Sequence, residues 1–153
     1  MAPADITAVT SLPEGLGGLE LESLATGFGM VKRLRLAWEN GTHRFDGDGE
    51  ILLGAFADDR LIGVGGLSLD PYLDDPRVGR LRHIYVLKDR RRSGVGRRLV
   101  ERLVAHARLA FRRVRLSTVH AGVFYESLGF APTSEDGATH GIDFSPASER
   151  ATS

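Results

Sequence analysis

The alternation of apolar and polar positions is clearest in the middle of the chain. Ile51 to Ala57 is an apolar run, Asp58-Asp59-Arg60 is a polar break of hairpin length, and Leu61 to Leu69 resumes the run, which predicts a β-hairpin. Leu81 to Leu87 predicts a third strand. After a basic, glycine-containing stretch, Arg90 to Gly96, the period changes. Val95, Leu99, Val100, Leu103, Val104 and Ala107 fall on one side of a helix, with Arg97, Arg98, Glu101, Arg102 and Arg108 on the other. Val114 and Leu116 then alternate with Arg113, Arg115 and Ser117 as a strand does. Ala121 to Leu128 predicts a short helix stopped by Gly129, and Phe130 to Thr133 and Thr139 to Phe144 predict closing strands. Upstream, Ile6 to Thr10 predicts a short strand, and Leu12 to about Gly27 and Met30 to Glu39 predict two helices. The second helix would bury Val31, Leu34, Leu36 and Trp38 and stop at Asn40-Gly41. With no repeat and no linker, residues 1–153 are expected to form one α/β domain ending in a polar, frayed tail, 145–153.

Composition narrows the function classes. A chain of 153 residues that is 42% apolar and 26% charged supports one soluble core. No apolar stretch approaches the roughly 20 residues that span a bilayer, and Met1 to Asp5 carries no leader pattern, so no membrane association and a cytoplasmic location are expected. The absence of cysteine excludes disulfides, thiolate metal sites and cysteine nucleophiles. His43, His83, His106, His120 and His140 have no metal-ligand spacing, so no metal is expected. Net charge is zero, yet fourteen of the 20 lysines and arginines lie between Arg77 and Arg115, opposed there by Asp89 and Glu101. This run is either arginine on solvated surfaces or a site for an anionic ligand. It has no helix-turn-helix or RNP-like pattern and few interleaved aromatics, so nucleic acid is not the expected partner.

Leu81 to Gly96 is strand, loop and helix start. A helix N-terminus presents backbone N–H groups without internal partners, and anions settle there. Gly94 and Gly96 let a ligand approach the backbone, and the flanking arginines offer donors to phosphate oxygens. Neither a Walker A loop nor a dinucleotide G-x-G-x-x-G is present, since Leu99 stands where the third glycine would. The pattern Arg91-x-x-Gly94-x-Gly96, five residues beyond Val86, resembles the acyl-CoA pyrophosphate loop (Q/R-x-x-G-x-G/A) of the GCN5-related N-acetyltransferase (GNAT) family. Farther on, Phe124-Tyr125-Glu126-Ser127-Leu128-Gly129-Phe130 is similar to the second signature of that family. The resemblance covers roughly Ile51 to Phe144.

The resemblance implies a mixed, mostly antiparallel sheet of about six or seven strands flanked by about four helices. It also implies transfer of acetyl from acetyl-CoA to a small-molecule or peptide amine. By the same resemblance Ile84, Tyr85 and Val86 would pair with the pantetheine arm, and Arg91, Arg92, Ser93, Gly94, Val95, Gly96 and Arg97 would hold the pyrophosphate. Tyr125, beside Phe124 on the cofactor side, would hydrogen-bond or protonate the departing thiolate. Two positions depart from the family pattern. Arg80 stands where a glutamate base is frequent and cannot act as a base. Thr118 replaces an asparagine or aspartate that lies seven residues before the tyrosine. Replacement bases are His83, if a bulge re-aims it, and more weakly His43 and His120; Asp70 and Asp74 are candidates to bind the amine's charge. The departure at Arg80 keeps a second function open, a catalytically inactive CoA-binding or sensor domain of the same fold. Homodimerisation is expected by analogy alone.

Overall fold

A computed structural model describes residues 4–144; the frayed tail expected at 145–153 lies outside the described residues. The chain runs β1 (Asp5–Ala8), α1 (Leu16–Ala25), α2 (Met30–Glu39), β2 (Ile51–Ala57), β3 (Arg60–Leu69), β4 (Val78–Val86), α3 (Val95–Ala107), β5 (Arg113–Leu116), α4 (Gly122–Glu126), β6 (Ala131–Pro132) and β7 (His140–Asp143). All seven strands join one sheet in the order β1-β2-β3-β4-β5-β7-β6. Every pairing is antiparallel except β4 with β5. The expected α/β fold, with a mixed, mostly antiparallel sheet and four helices, is the one observed.

Helix α3 covers one face of β2, β3 and β4, burying Val95, Leu99, Val100, Leu103 and Ala107. Close approach is possible because β3 carries Gly63 and Gly65 beneath it. A Cβ at Gly65 would stand 2.8 Å from Ile84 Cδ1 and 3.1 Å from Leu103 Cδ1. Helices α1 and α2 pack on the other face, against β3 and β4. Helix α1 is shorter than its apolar pattern suggests, starting after Gly15 and ending before Gly27, both of which have left-handed backbone.

Two features of β4 shape the site. The strand begins at Val78, three residues earlier than expected, because Val78, Gly79 and Arg80 pair with Arg113, Val114 and Arg115 of β5. Beyond Arg80 no β5 partner follows, so the two strands part and, among the described residues, Leu81 to Val86 has an open edge. The second feature is a bulge: Val64 pairs with Tyr85 and Gly66 with Arg82, so three steps on β4 match two on β3. His83 takes up the extra residue with φ of 60°.

Candidate active site

The open edge of β4 presents particular backbone groups. Leu87 N donates to Ile62 O on β3 at 2.9 Å, and Tyr85 pairs with Val64. Alternate residues of a strand bond to opposite edges, so Ile84 and Val86 turn their peptide groups toward the gap and Tyr85 turns its own to β3. Arg91 Nε, which donates to Val86 O at 2.9 Å, lies on that open side.

Tyr85 contributes through its side chain instead. Its hydroxyl donates to Glu22 Oε2 at 2.5 Å, and Arg91 stacks its guanidinium over the ring at 5.2 Å. The same carboxylate oxygen accepts from Lys88 N at 3.0 Å. Burial and then this bond push the Tyr85 phenol up to about 12. Glu22 therefore clamps α1 to the end of β4 and to the loop after it. The clamp escapes a motif search because its partners are 63 residues apart. The available signal is an acid three residues after buried Leu19, which places it near the inward face of α1.

The edge leads into the loop of Arg91 to Gly94. Arg92 and Gly94 both have left-handed backbone, φ 69° and 87°, and Gly94 is the N-cap of α3. No side chain caps that helix, so the amides of its first turn remain available to an anion. A Cβ at Gly94 would have nothing within 4 Å, so the loop backbone faces open space. Ser93 Oγ closes the turn on Arg90 O, and Arg97 Nη2 reaches Ser127 Oγ at 3.1 Å, tying the first turn of α3 to the end of α4.

Helix α4 completes the constellation. A Cβ at Gly96 would lie 3.7 Å from Phe124 Cζ and 3.8 Å from Val86 Cγ2, so the end of β4, the start of α3 and α4 converge. Phe124 and Tyr125 are edge-to-face at 5.1 Å, and Phe130 packs on Tyr125 at 5.8 Å. Tyr125 is buried and desolvation pushes it up to about 12. Its hydroxyl has no hydrogen-bond partner among the described residues. The helix is pinned from outside the sequence motif by His140, whose Nε2 meets Glu126 Oε2 at 2.8 Å. Thr118 acts locally, its Oγ1 accepting from Ala121 N at 3.0 Å at the entrance to α4.

An open strand edge running into an uncapped, glycine-preceded helix beside a buried tyrosine can hold an extended chain that ends in phosphates. The family model described as "Acetyltransferase (GNAT) domain" matches residues 48–132. The chain belongs to the GNAT acetyltransferase family. The crystal structure of a protein from Exiguobacterium sp. 255-15 assigned as an acetyltransferase is 30% identical with a TM-score of 0.84, covering 93% of this chain and 94% of that one. An acetyltransferase of Streptococcus agalactiae 2603, 16% identical, has a TM-score of 0.74 and shares 94% of this chain and all of its own. A GNAT-family N-acetyltransferase of Escherichia coli, solved in complex with CoA, is also 16% identical, with a TM-score of 0.69 over 94% of this chain and 82% of that one. No curated protein matches the chain by sequence.

The GNAT site is less complete on its base side. His83 faces α2, where its Nδ1 donates to Met30 O at 2.8 Å and its ring meets Phe45 edge-on at 5.9 Å. The bulge is present, but it leaves His83 on the face opposite Val86. Burial, and then the charge of Arg82, lower its pKa to about 4, so the ring is neutral with Nε2 as its lone-pair nitrogen. Asp70 is not open to an amine. It is 1% exposed, with Oδ2 accepting from Arg115 Nε at 2.8 Å and Oδ1 from Tyr72 N at 2.9 Å. Asp74 lies exposed in the β3–β4 connection, and His120 is exposed, its ring edge-to-face with the exposed ring of Phe28 at 6.2 Å. His43 stands 3.7 Å from Glu50 and is held below the usual imidazole range, chiefly by burial.

Proposed function

We propose that this GNAT domain transfers acetyl from acetyl-CoA to a primary amine by direct attack. The observation that carries the reading is the open edge of β4 leading straight into the uncapped N-terminus of α3, with Tyr125 beside the junction. The fold shared with the Escherichia coli protein solved with CoA supports the donor class. Acetyl-CoA supplies an acyl group activated as a thioester.

The chain's own groups divide the remaining work. Amides of the loop from Arg91 to Gly94 and of Val95, Gly96 and Arg97 receive the pyrophosphate, while Ile84 and Val86 offer backbone bonds to the pantetheine arm. Tyr125, protonated at neutral pH, donates to the sulfur as the C–S bond breaks and the new C–N bond forms. His83 Nε2 is the acceptor we assign to the amine's proton; with a pKa of about 4 it passes the proton on to water rather than keeping it.

The test is the melting temperature with acetyl-CoA, free CoA and ATP, followed by thiol release over an amine panel. At about 100 times Kd a ligand adds about 2.7 kcal/mol, a shift of several degrees. A shift with acetyl-CoA and CoA but not ATP, with amine-dependent thiol release, is the expected result. No shift at millimolar acetyl-CoA would sink the reading. Arg80, where the family frequently has an acid, favours a second reading as a CoA-binding domain without turnover; binding without thiol release from any amine is its signature.

A further inference from the structure

The sheet face turned toward α1 and α2 carries more cationic charge than its neighbours neutralise. Arg80 and Arg115 are adjacent across the last β4–β5 pair, and Arg82 follows two positions on, where the strands part. Asp70 is the buried carboxylate among them. It bonds to Arg115, while Arg80 Nη1 lies 3.5 Å from Oδ2 without the alignment of a hydrogen bond. Glu135 reaches Arg115 at 3.4 Å but also binds Arg113, and its side chain is 43% exposed. Arg80 Nη1 and Arg115 Nη2 are left buried without a hydrogen-bond partner among the described residues, Arg80 Nη1 keeping only its ion-pair contact with Asp70. Arg80 is otherwise held in place by Ser117 Oγ, at 2.9 Å from its Nη2, and by the ring of Tyr72, at 4.7 Å.

Arg82 is the member of the cluster that a ligand can reach. It is half-buried, and among the described residues it has neither a hydrogen bond nor an ion pair. Desolvation, and then the charge of Arg80, hold it below the ordinary arginine range. A guanidinium carries five donors and no acceptor; the carboxylates of Glu50 and Asp70 act on Arg82 through their charge alone and occupy none of its donors. Its planar fork fits two oxygens of a carboxylate or phosphate. Arg82 also sits two residues before Ile84, just ahead of the bulge at His83, and Ile84 borders the open edge.

We propose that the acceptor is an amine that also carries an anionic group, a carboxylate or a phosphate. Arg82 receives that group at the mouth of the β4–β5 gap, and the charges of Arg80 and Arg115 behind it add to the attraction. This rests on the transferase reading above and names the substrate class for it.

The experiment uses matched amines: 3-aminopropanoate against propylamine, and 2-aminoethyl phosphate against ethanolamine. Thiol release with acetyl-CoA is measured for the full chain and for Arg82→Gln and Arg82→Lys. At least one anionic amine should exceed its neutral partner by about tenfold or more in kcat/KM. Which pair responds separates carboxylate from phosphate. Arg82→Gln should erase the preference mainly through KM, and Arg82→Lys should keep part of it. With CoA saturating, the same anionic amine should raise the melting temperature of the natural chain and not that of Arg82→Gln. Equal or better use of the neutral amines, or a preference that survives Arg82→Gln, overturns the proposal. So does the absence of both turnover and a melting shift with every anionic amine while acetyl-CoA still stabilises the protein. If acetyl-CoA itself gives no shift, the transferase reading has failed first.

Discussion

Burial acts on Tyr125 and His83 in opposite senses, because it disfavours whichever protonation state is charged. It keeps the proton on the phenol, which suits a donor to a departing thiolate, and takes it off the imidazole. Tyr125→Phe should lower kcat about 100-fold with little change in acetyl-CoA affinity, since the hydroxyl has no other partner. An unchanged kcat would remove Tyr125 from the chemistry. For His83 the linkage has a definite sign. An imidazole titrates near 6.5 when unfolded and at about 4 here, so between those values the unfolded chain binds more protons. Stability is complete above about pH 6.5 and is lost as pH falls toward 4, by up to about 3 kcal/mol. The melting temperature should fall between pH 7 and pH 5, and His83→Gln should flatten that slope. Tyr125, Phe124, Val86 and Gly96 are legible in the sequence because each belongs to a local pattern set by one strand or one helix. Glu22 and Arg82 are not, because what gives them meaning is a partner far along the chain or the lack of one.

At the scale of elements, the turn before α3 depends on backbone that L side chains resist. Gly94→Ala meets no atom within 4 Å, so its cost is conformational, on the order of 1 kcal/mol for φ of 87°. The expected outcome in a thermal melt is a drop of a few degrees together with a smaller acetyl-CoA shift. A full shift in the variant would place the pyrophosphate elsewhere. Boundaries legible in the sequence are those where hydrophobicity and turn residues agree, as at α2, β2 and the β2–β3 hairpin. The start of β4 is missed because Val78-Gly79-Arg80 looks polar, and its arginine is accepted inside the sheet only because Asp70 and Ser117 await it. The parting of β4 from β5 has no local signature, since strand pairing is a property of two segments.

For the whole molecule, the basic run from Arg77 to Arg115 proves to be several structures. Arg98 and Arg102 donate to Ala4 O and Ile6 O, fastening α3 to the edge strand, and Arg113 bridges Glu135 and Asp143. Arg115 is wholly buried on Asp70. Composition alone cannot separate these from the arginines beside the candidate site, because both assignments need the same residues. Asp70→Asn should be severe, for it leaves Arg115 charged and uncompensated in the interior. A cost of about 3–5 kcal/mol is expected, on the order of 10 °C in melting temperature, and a near-normal melt would show that Glu135 alone suffices.

The short β4–β5 pairing has a kinetic consequence. Three residue pairs are the ladder between the β1–β4 half of the sheet and the β5–β7 half. Amides of Ile84 and Val86 lie in the middle of the molecule yet have no strand partner on the β5 side among the described residues. In hydrogen–deuterium exchange they should therefore label quickly, more like a frayed edge than a sheet centre. A bound chain laid along that edge would act as an eighth strand, protecting those amides and making the two halves open together.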